Sequence, residues 1–256
     1  LWAKDYKIPY SSNLKITKNY LITANQNNVL NFYNKFNGEL VTFIPTEEIK
    51  IKNQFKNNLS INEKYTFFLN TYGSLYVIDN KSLRMKWFLN FNETKDLNPS
   101  NLFDGKPIIS NEKILIISSA DSLYIVEIDS GSTLAKINIA SLTKPFLIDN
   151  KLFLISKNHL LISFDIIRKE IIFSYDINKK IADFLKIKKK KALYKSLMVI
   201  NDKLYIFLKN SYFVKISING EIENIRKLPS ELNSFPILVK ESMIFINKKN
   251  KLSIIN

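Results

Sequence analysis

Apolar residues in this chain come in short bursts. Runs of β-branched, aromatic and leucine residues alternate from end to end with clusters of Asn, Asp, Gly, Ser and Lys, which predicts many short antiparallel strands joined by tight turns. Helical periodicity is almost absent. The best-formed unit runs from Gly73 to Trp87: Gly73-Ser74-Leu75-Tyr76-Val77-Ile78-Asp79, a polar turn through Asn80 to Ser82, then Leu83-Arg84-Met85-Lys86-Trp87. It reads as a strand opened by a turn glycine, a hairpin, and a returning strand that ends on a large aromatic.

The same phase can be laid along the rest of the chain. Asn28 leads to Asn37-Gly38, Asp121 to Ser130-Gly131, His159 through Asp165 to Phe173, and Ser211 to Asn219-Gly220, while Asn250 opens a last copy. The starts are 45, 48, 38, 52 and 39 residues apart, close to the length of one four-stranded propeller blade. Earlier apolar runs, such as Tyr65–Leu69, Ile114–Ile117 and Leu204–Leu208, supply the inner strands. The fold class predicted is therefore all-β, a β-propeller of four-stranded antiparallel blades with about six copies, occupying residues 1–256 as one domain. Trp2 fits the position of Trp87. Either Leu1–Tyr6 completes the last blade and closes a ring of about six, or the copies belong to a larger ring.

Two segments break the repeat. Pro45 to Phe55 joins the first two copies and mixes Glu47 and Glu48 with Lys50 and Lys52. An inter-blade insert around residues 179–195 places Ile181, Phe184 and Leu185 at helical spacing beside Lys188, Lys189, Lys190 and Lys191, so a short amphipathic helix or a long loop fits. Turns, strand runs and blade aromatics all have folding explanations, and this insert has none. The partner-binding candidates are Phe184, Leu185, Lys188, Lys189, Lys190 and Lys191: a partly apolar, basic loop can dock an apolar anchor while steering toward an acidic partner.

Charge changes this picture only in part. A formal net charge of +15 suits a polyanion or an anionic membrane surface. Among the 38 basic residues, however, only Arg84, Arg168 and Arg226 are arginines, and arginine is the residue favoured for bidentate phosphate and base contacts. Nucleic acid is not the expected partner. No apolar run reaches the roughly 18 residues that cross a bilayer. The chain starts at Leu1 rather than Met, and the expectation is that an N-terminal portion, with any signal or lipid anchor, has been removed.

The Gly73–Trp87 unit resembles the repeat of the pyrroloquinoline-quinone-type propellers, Gly-x-Leu-Tyr-x-x-Asp followed by a turn and Trp. Gly73, Leu75, Tyr76, Asp79 and Trp87 fall in register. In the third copy Leu123, Tyr124 and Gly131 fit, with Glu127 and Ala135 at the Asp and Trp positions; in the fourth, Asp165 fits and Phe173 replaces Trp. Within that superfamily the whole chain is similar to the propeller lipoproteins of the outer-membrane β-barrel assembly machinery, a resemblance resting on consecutive degenerate repeats with no appended enzymatic module. It implies a non-catalytic periplasmic scaffold, associated with the outer membrane, that binds the barrel-inserting subunit. Such propellers typically have eight blades.

The chemistry available agrees with a scaffold. One histidine and no cysteine leave nothing for a zinc site, and His159 falls in the repeat phase of Gly73, as a turn residue. The quinone-dependent enzymes of the superfamily are the alternative, and they need carboxylates around calcium and aromatics against the cofactor. Trp2 and Trp87 both occupy repeat positions instead. No cofactor, metal or catalytic residue is expected.

Overall fold

The computed structural model describes residues 2–48, 56–92, 109–119, 121–188, 191–239 and 242–255. Contacts divide the chain into two compact units, Leu1–Ala140 and Ser141–Asn256. The first holds three four-stranded antiparallel meanders: β1 (Lys15–Ile16), β2 (Tyr20–Ala24), β3 (Leu30–Asn34) and β4 (Leu40–Ile44); β5 (Asn58–Ile61), β6 (Tyr65–Leu69), β7 (Ser74–Asp79) and β8 (Met85–Asn90); β9 (Ile109–Ser110), β10 (Ile114–Ser118), β11 (Leu123–Glu127) and β12 (Thr133–Ile137). Its inner strands meet in series, β1 against β5 and β5 against β9.

The second unit repeats the pattern. It contains β13 (Phe146–Ile148), β14 (Lys151–Ile155), β15 (Leu160–Asp165) and β16 (Glu170–Asp176), then helix α1 (Ile177–Leu185). A further meander follows, β17 (Tyr194–Ile200), β18 (Lys203–Leu208), β19 (Tyr212–Ser217) and β20 (Ile222–Lys227), and last a three-stranded sheet, β21 (Ile237–Val239), β22 (Ser242–Ile246) and β23 (Leu252–Ile255).

Backbone geometry bears out the repeat phase. Five of the six start positions, Asn28, Gly73, His159, Ser211 and Asn250, have left-handed φ between 56° and 80°. In four of them the reason is a shared turn: Asn25, Asn70, Ser156 and Asn247 each accept the start residue's N–H on their carbonyl, and their side chains accept from residues further round the turn, which locks the chain into αL at the third step. Asp121 departs because its turn is one residue shorter, closed by Ser119 N–H to the Ser122 carbonyl. The five complete sheets also share one register shift between their third and fourth strands, at Phe32/Tyr33, Val77/Ile78, Ile125/Val126, Ser163/Phe164 and Lys215/Ile216. A bulge at constant phase increases strand twist at the same point in each sheet.

Within each unit the sheets pack face to face through apolar layers. Leu30 and Phe32 of the first sheet bury against Leu59, Phe68 and Ile78 of the second, and Leu75 and Val77 of the second against Leu115, Ile117 and Val126 of the third. Burial on this scale is the main favourable term holding the sheets together.

A second device ties neighbouring sheets. Trp87 pairs with Val77 in its own sheet, lays its ring over Gly131 of the next and donates Nε1–H to the Ile128 carbonyl at 2.8 Å. Phe173 and Tyr175 lie over Gly220 in the same way, with Tyr175 OH donating to the Gly220 carbonyl at 2.6 Å. Trp2 covers Gly38, its Nε1–H bonded to Lys35 O and Tyr6 OH to Gly38 O. The expectation for Trp2 thus holds at the docking end. That Leu1–Tyr6 forms a strand of the last blade does not: residues 2–6 belong to no strand, and the sixth sheet has three strands among the described residues.

Candidate functional site

The insert between the fourth and fifth sheets is built outward from β16. Asp176 caps α1, its carboxylate accepting from the N–H groups of Asn178 and Lys179, which satisfies two of the helix's orphan donors. Lys186 ends it in the left-handed conformation, and Ile187 N–H returns to the Ala182 carbonyl, closing the last turn. Ile177, Asn178 and Ala182 are buried, and Ile181 packs on the second unit's core. Sequence spacing suggested that the apolar stripe starts at Ile181. It starts one turn earlier, at Ile177, hidden in the sequence by the polar Asn178-Lys179-Lys180 between them.

Asn178 then fixes the returning chain. Its Oδ1 accepts from Ala192 N–H at 3.0 Å and from Tyr194 OH at 2.8 Å, so both ends of the insert are held by one buried amide. Tyr194 in turn lies against the His159 ring, and burial followed by the Asp176 charge pushes its phenol above the usual tyrosine value. His159 sits in a turn, as its repeat phase predicts. Sequence reasoning missed Asn178, which has no motif to mark it: its role depends on where residues 192–194 return.

Phe184 and Leu185 do not tuck beneath the sheets; they are 46% and 41% exposed, and Ile187 and Leu193 of the same insert are exposed as well. Lys188 and Lys191 are exposed and form no ion pair among the described residues. Lys189 and Lys190 lie outside the described residues. Lys180 is used differently, paired with Glu221 at 3.1 Å and lying over the Tyr175 ring. The insert is thus a latched helix that carries exposed apolar and basic residues, with no convergent acid–base pair among its described residues.

Glu47 is the centre of a half-buried polar network elsewhere. Its carboxylate accepts from Asn70 Nδ2 at 2.6 Å, Ser74 Oγ at 2.6 Å and Tyr76 OH at 2.7 Å. Burial alone would raise its pKa, yet these hydrogen bonds outweigh that and hold it below the ordinary glutamate value. The network pins the connection after the first sheet to the second. Glu48 is exposed, and residues 49–55 of the Pro45–Phe55 insert, with Lys50 and Lys52, lie outside the described residues. A cleft of about 740 Å³ is lined by two copies of one turn, Asn62-Glu63-Lys64 and Asn111-Glu112-Lys113, with Asp129; both charge signs alternate along it. Among the described residues no three His, Cys, Asp or Glu side chains are grouped to hold a metal ion, and no helix is long and apolar enough to cross a membrane.

Repeated four-stranded meanders, the shared bulge and the aromatic docked on the next hairpin define the class: a β-propeller. Among solved structures the chain is similar to the crystal structure of BamB from Moraxella catarrhalis, with a TM-score of 0.76 and 10% identity over 98% of this chain and 73% of that one. No protein-family model and no curated protein matches the sequence. Since 1407 solved chains match the structure, the fold alone does not select a function.

Proposed function

We propose that this propeller is a non-catalytic, BamB-like scaffold at the periplasmic side of the outer membrane, where it binds the barrel-inserting subunit of the β-barrel assembly machinery. The observation that carries the reading is the exposed pair Phe184 and Leu185 on an insert whose two ends are held together by Asn178, in the same segment as lysines without ion-pair partners among the described residues. A rigid apolar anchor supplies contact energy, and surrounding positive charge steers an acidic partner to it. Likeness to BamB and the docking of both tryptophans on hairpin glycines support the scaffold over a quinone-dependent enzyme.

The test is association with the purified periplasmic portion of that subunit. Replacing Lys188, Lys189, Lys190 and Lys191 together with Ser slows association about tenfold and flattens its dependence on salt between about 0.05 and 0.2 M, with thermal stability unchanged. Unaltered association would remove the insert from the interface. Binding of anionic vesicles without binding of the subunit would move the assignment to a membrane surface.

A further inference from the structure

Lysine recurs at one repeat position of the second unit. Two residues before the start of each of its repeats, in the turn between second and third strands, stand Lys157, Lys209 and Lys248; the first two repeats of the chain have Gln26 and Thr71 there. Two of these lysines meet a fourth. Strand β17 is the one described first strand that shifts register against its second: Tyr194 faces Leu208 and Ser196 faces Phe207, which leaves Lys195 as an extra residue. Such a bulge re-aims the side chain it carries, and Lys195 Nζ donates to the Leu232 carbonyl at 2.5 Å.

Backbone hydrogen bonds bring Lys209 and Lys248 to the same place. Lys209 N–H bonds to the Leu193 carbonyl, two residues before Lys195, and Lys248 N–H to the Glu231 carbonyl, one residue before Leu232. Burial, then the charges of Lys209 and Lys248, hold the Lys195 ammonium below the ordinary lysine value. The Glu231 carboxylate pairs with Lys248 and so offsets one of the three positive charges. Two hydroxyl groups next to these residues in the chain have no hydrogen-bond partner among the described residues: that of Ser196, which is 4% exposed, and that of Ser230. Unmet buried hydroxyls and like charges held together both mark a place that an anion completes.

We propose that Lys195, Lys209 and Lys248 form a binding site for a phosphate group. A dianion relieves the repulsion that a single carboxylate leaves among three ammonium groups. Each lysine is a compact point charge with three donors, which suits the tetrahedral oxygens of phosphate and needs no planar fork. The group can arrive as inorganic phosphate or on a lipid headgroup, with the same chemistry at the site. None of the partner-binding residues named above takes part, so this site stands or falls independently of the function proposed above.

Inorganic phosphate is titrated into the protein in exchange for chloride at constant ionic strength, and binding is followed by NMR shifts of backbone amides and lysine Nζ groups. Phosphate shifts the signals of Lys195, Lys209 and Lys248 along one saturating curve. Lys195→Gln and Lys209→Gln each weaken the affinity roughly tenfold or more, whereas Lys113→Gln, which removes an exposed lysine of the first unit, leaves it unchanged. Because Lys209 is exposed, its variant still reports on the site if Lys195→Gln fails to fold. Phosphatidylglycerol vesicles, with phosphatidylcholine as the neutral control, then separate the sources. Vesicle binding lost in both site variants assigns the phosphate to a lipid headgroup; phosphate binding with vesicle binding absent, or indifferent to the variants, assigns it to a soluble phosphate. Either sustains the site. Absence of any shift, shifts that chloride alone reproduces, equal weakening by Lys113→Gln, or phosphate binding that survives both site variants overturns the proposal.

Discussion

At Gly131 a single hydrogen atom decides whether two sheets can dock. The residue has φ +75°, and a Cβ there would lie 2.9 Å from the Trp87 ring; an L side chain would incur the left-handed penalty and the ring would have to move. Gly131→Ala is expected to cost about 2–3 kcal/mol and to shift the Trp87 emission, read by denaturant unfolding and fluorescence. Loss of stability with unchanged emission would mean that the ring is not the obstacle. Glu47 offers a second check, through pH. Its folded-state pKa is lowered, so its contribution is complete above the unfolded glutamate value near 4.3 and is lost as pH falls through the lower folded value. Glu47→Gln is expected to destabilise by about 1–2 kcal/mol at pH 7, with the gap to the parent narrowing as the pH falls below the unfolded value. A gap that stays constant down to acid unfolding would place the effect in packing rather than in the carboxylate.

Helix α1 separates residues that fold the insert from residues available to a partner. Ile177 is fully buried in the core, and Ile177→Ala is expected to cost about 2–4 kcal/mol. Phe184→Ala is expected to change stability by no more than about 0.5 kcal/mol while weakening the subunit complex. Thermal melts of the two variants decide between these roles, and unfolding by Phe184→Ala would make the insert structural. At this scale the sequence was most readable where local chemistry dictates the answer: a left-handed residue recurs at five of the six repeat starts, Asn28, Gly73 and Asn250 among them, and Trp87 or Phe173 marks the outer strand. It was less readable where the answer depends on chain segments far apart. Asn178 and Glu47 look like ordinary polar residues until residues 192–194 and Asn70, Ser74 and Tyr76 are brought to them.

For the whole molecule, periodicity announced the propeller because each blade must solve the same packing problem with the same few residue types. The candidate site was legible by exception, as the one stretch the repeat left unexplained. Its exposure was not, since a Phe-Leu pair at helical spacing fits a core as well as a surface, and only the earlier start of the buried stripe at Ile177 freed Phe184 and Leu185. A photo-crosslinking side chain placed at position 184, with exposed position 167 as control, can be activated in intact envelopes to trap what touches α1. One dominant adduct containing the barrel-inserting subunit is expected from 184, and none from 167. Adducts only with cytosolic proteins, or equal labelling from both positions, would contradict it.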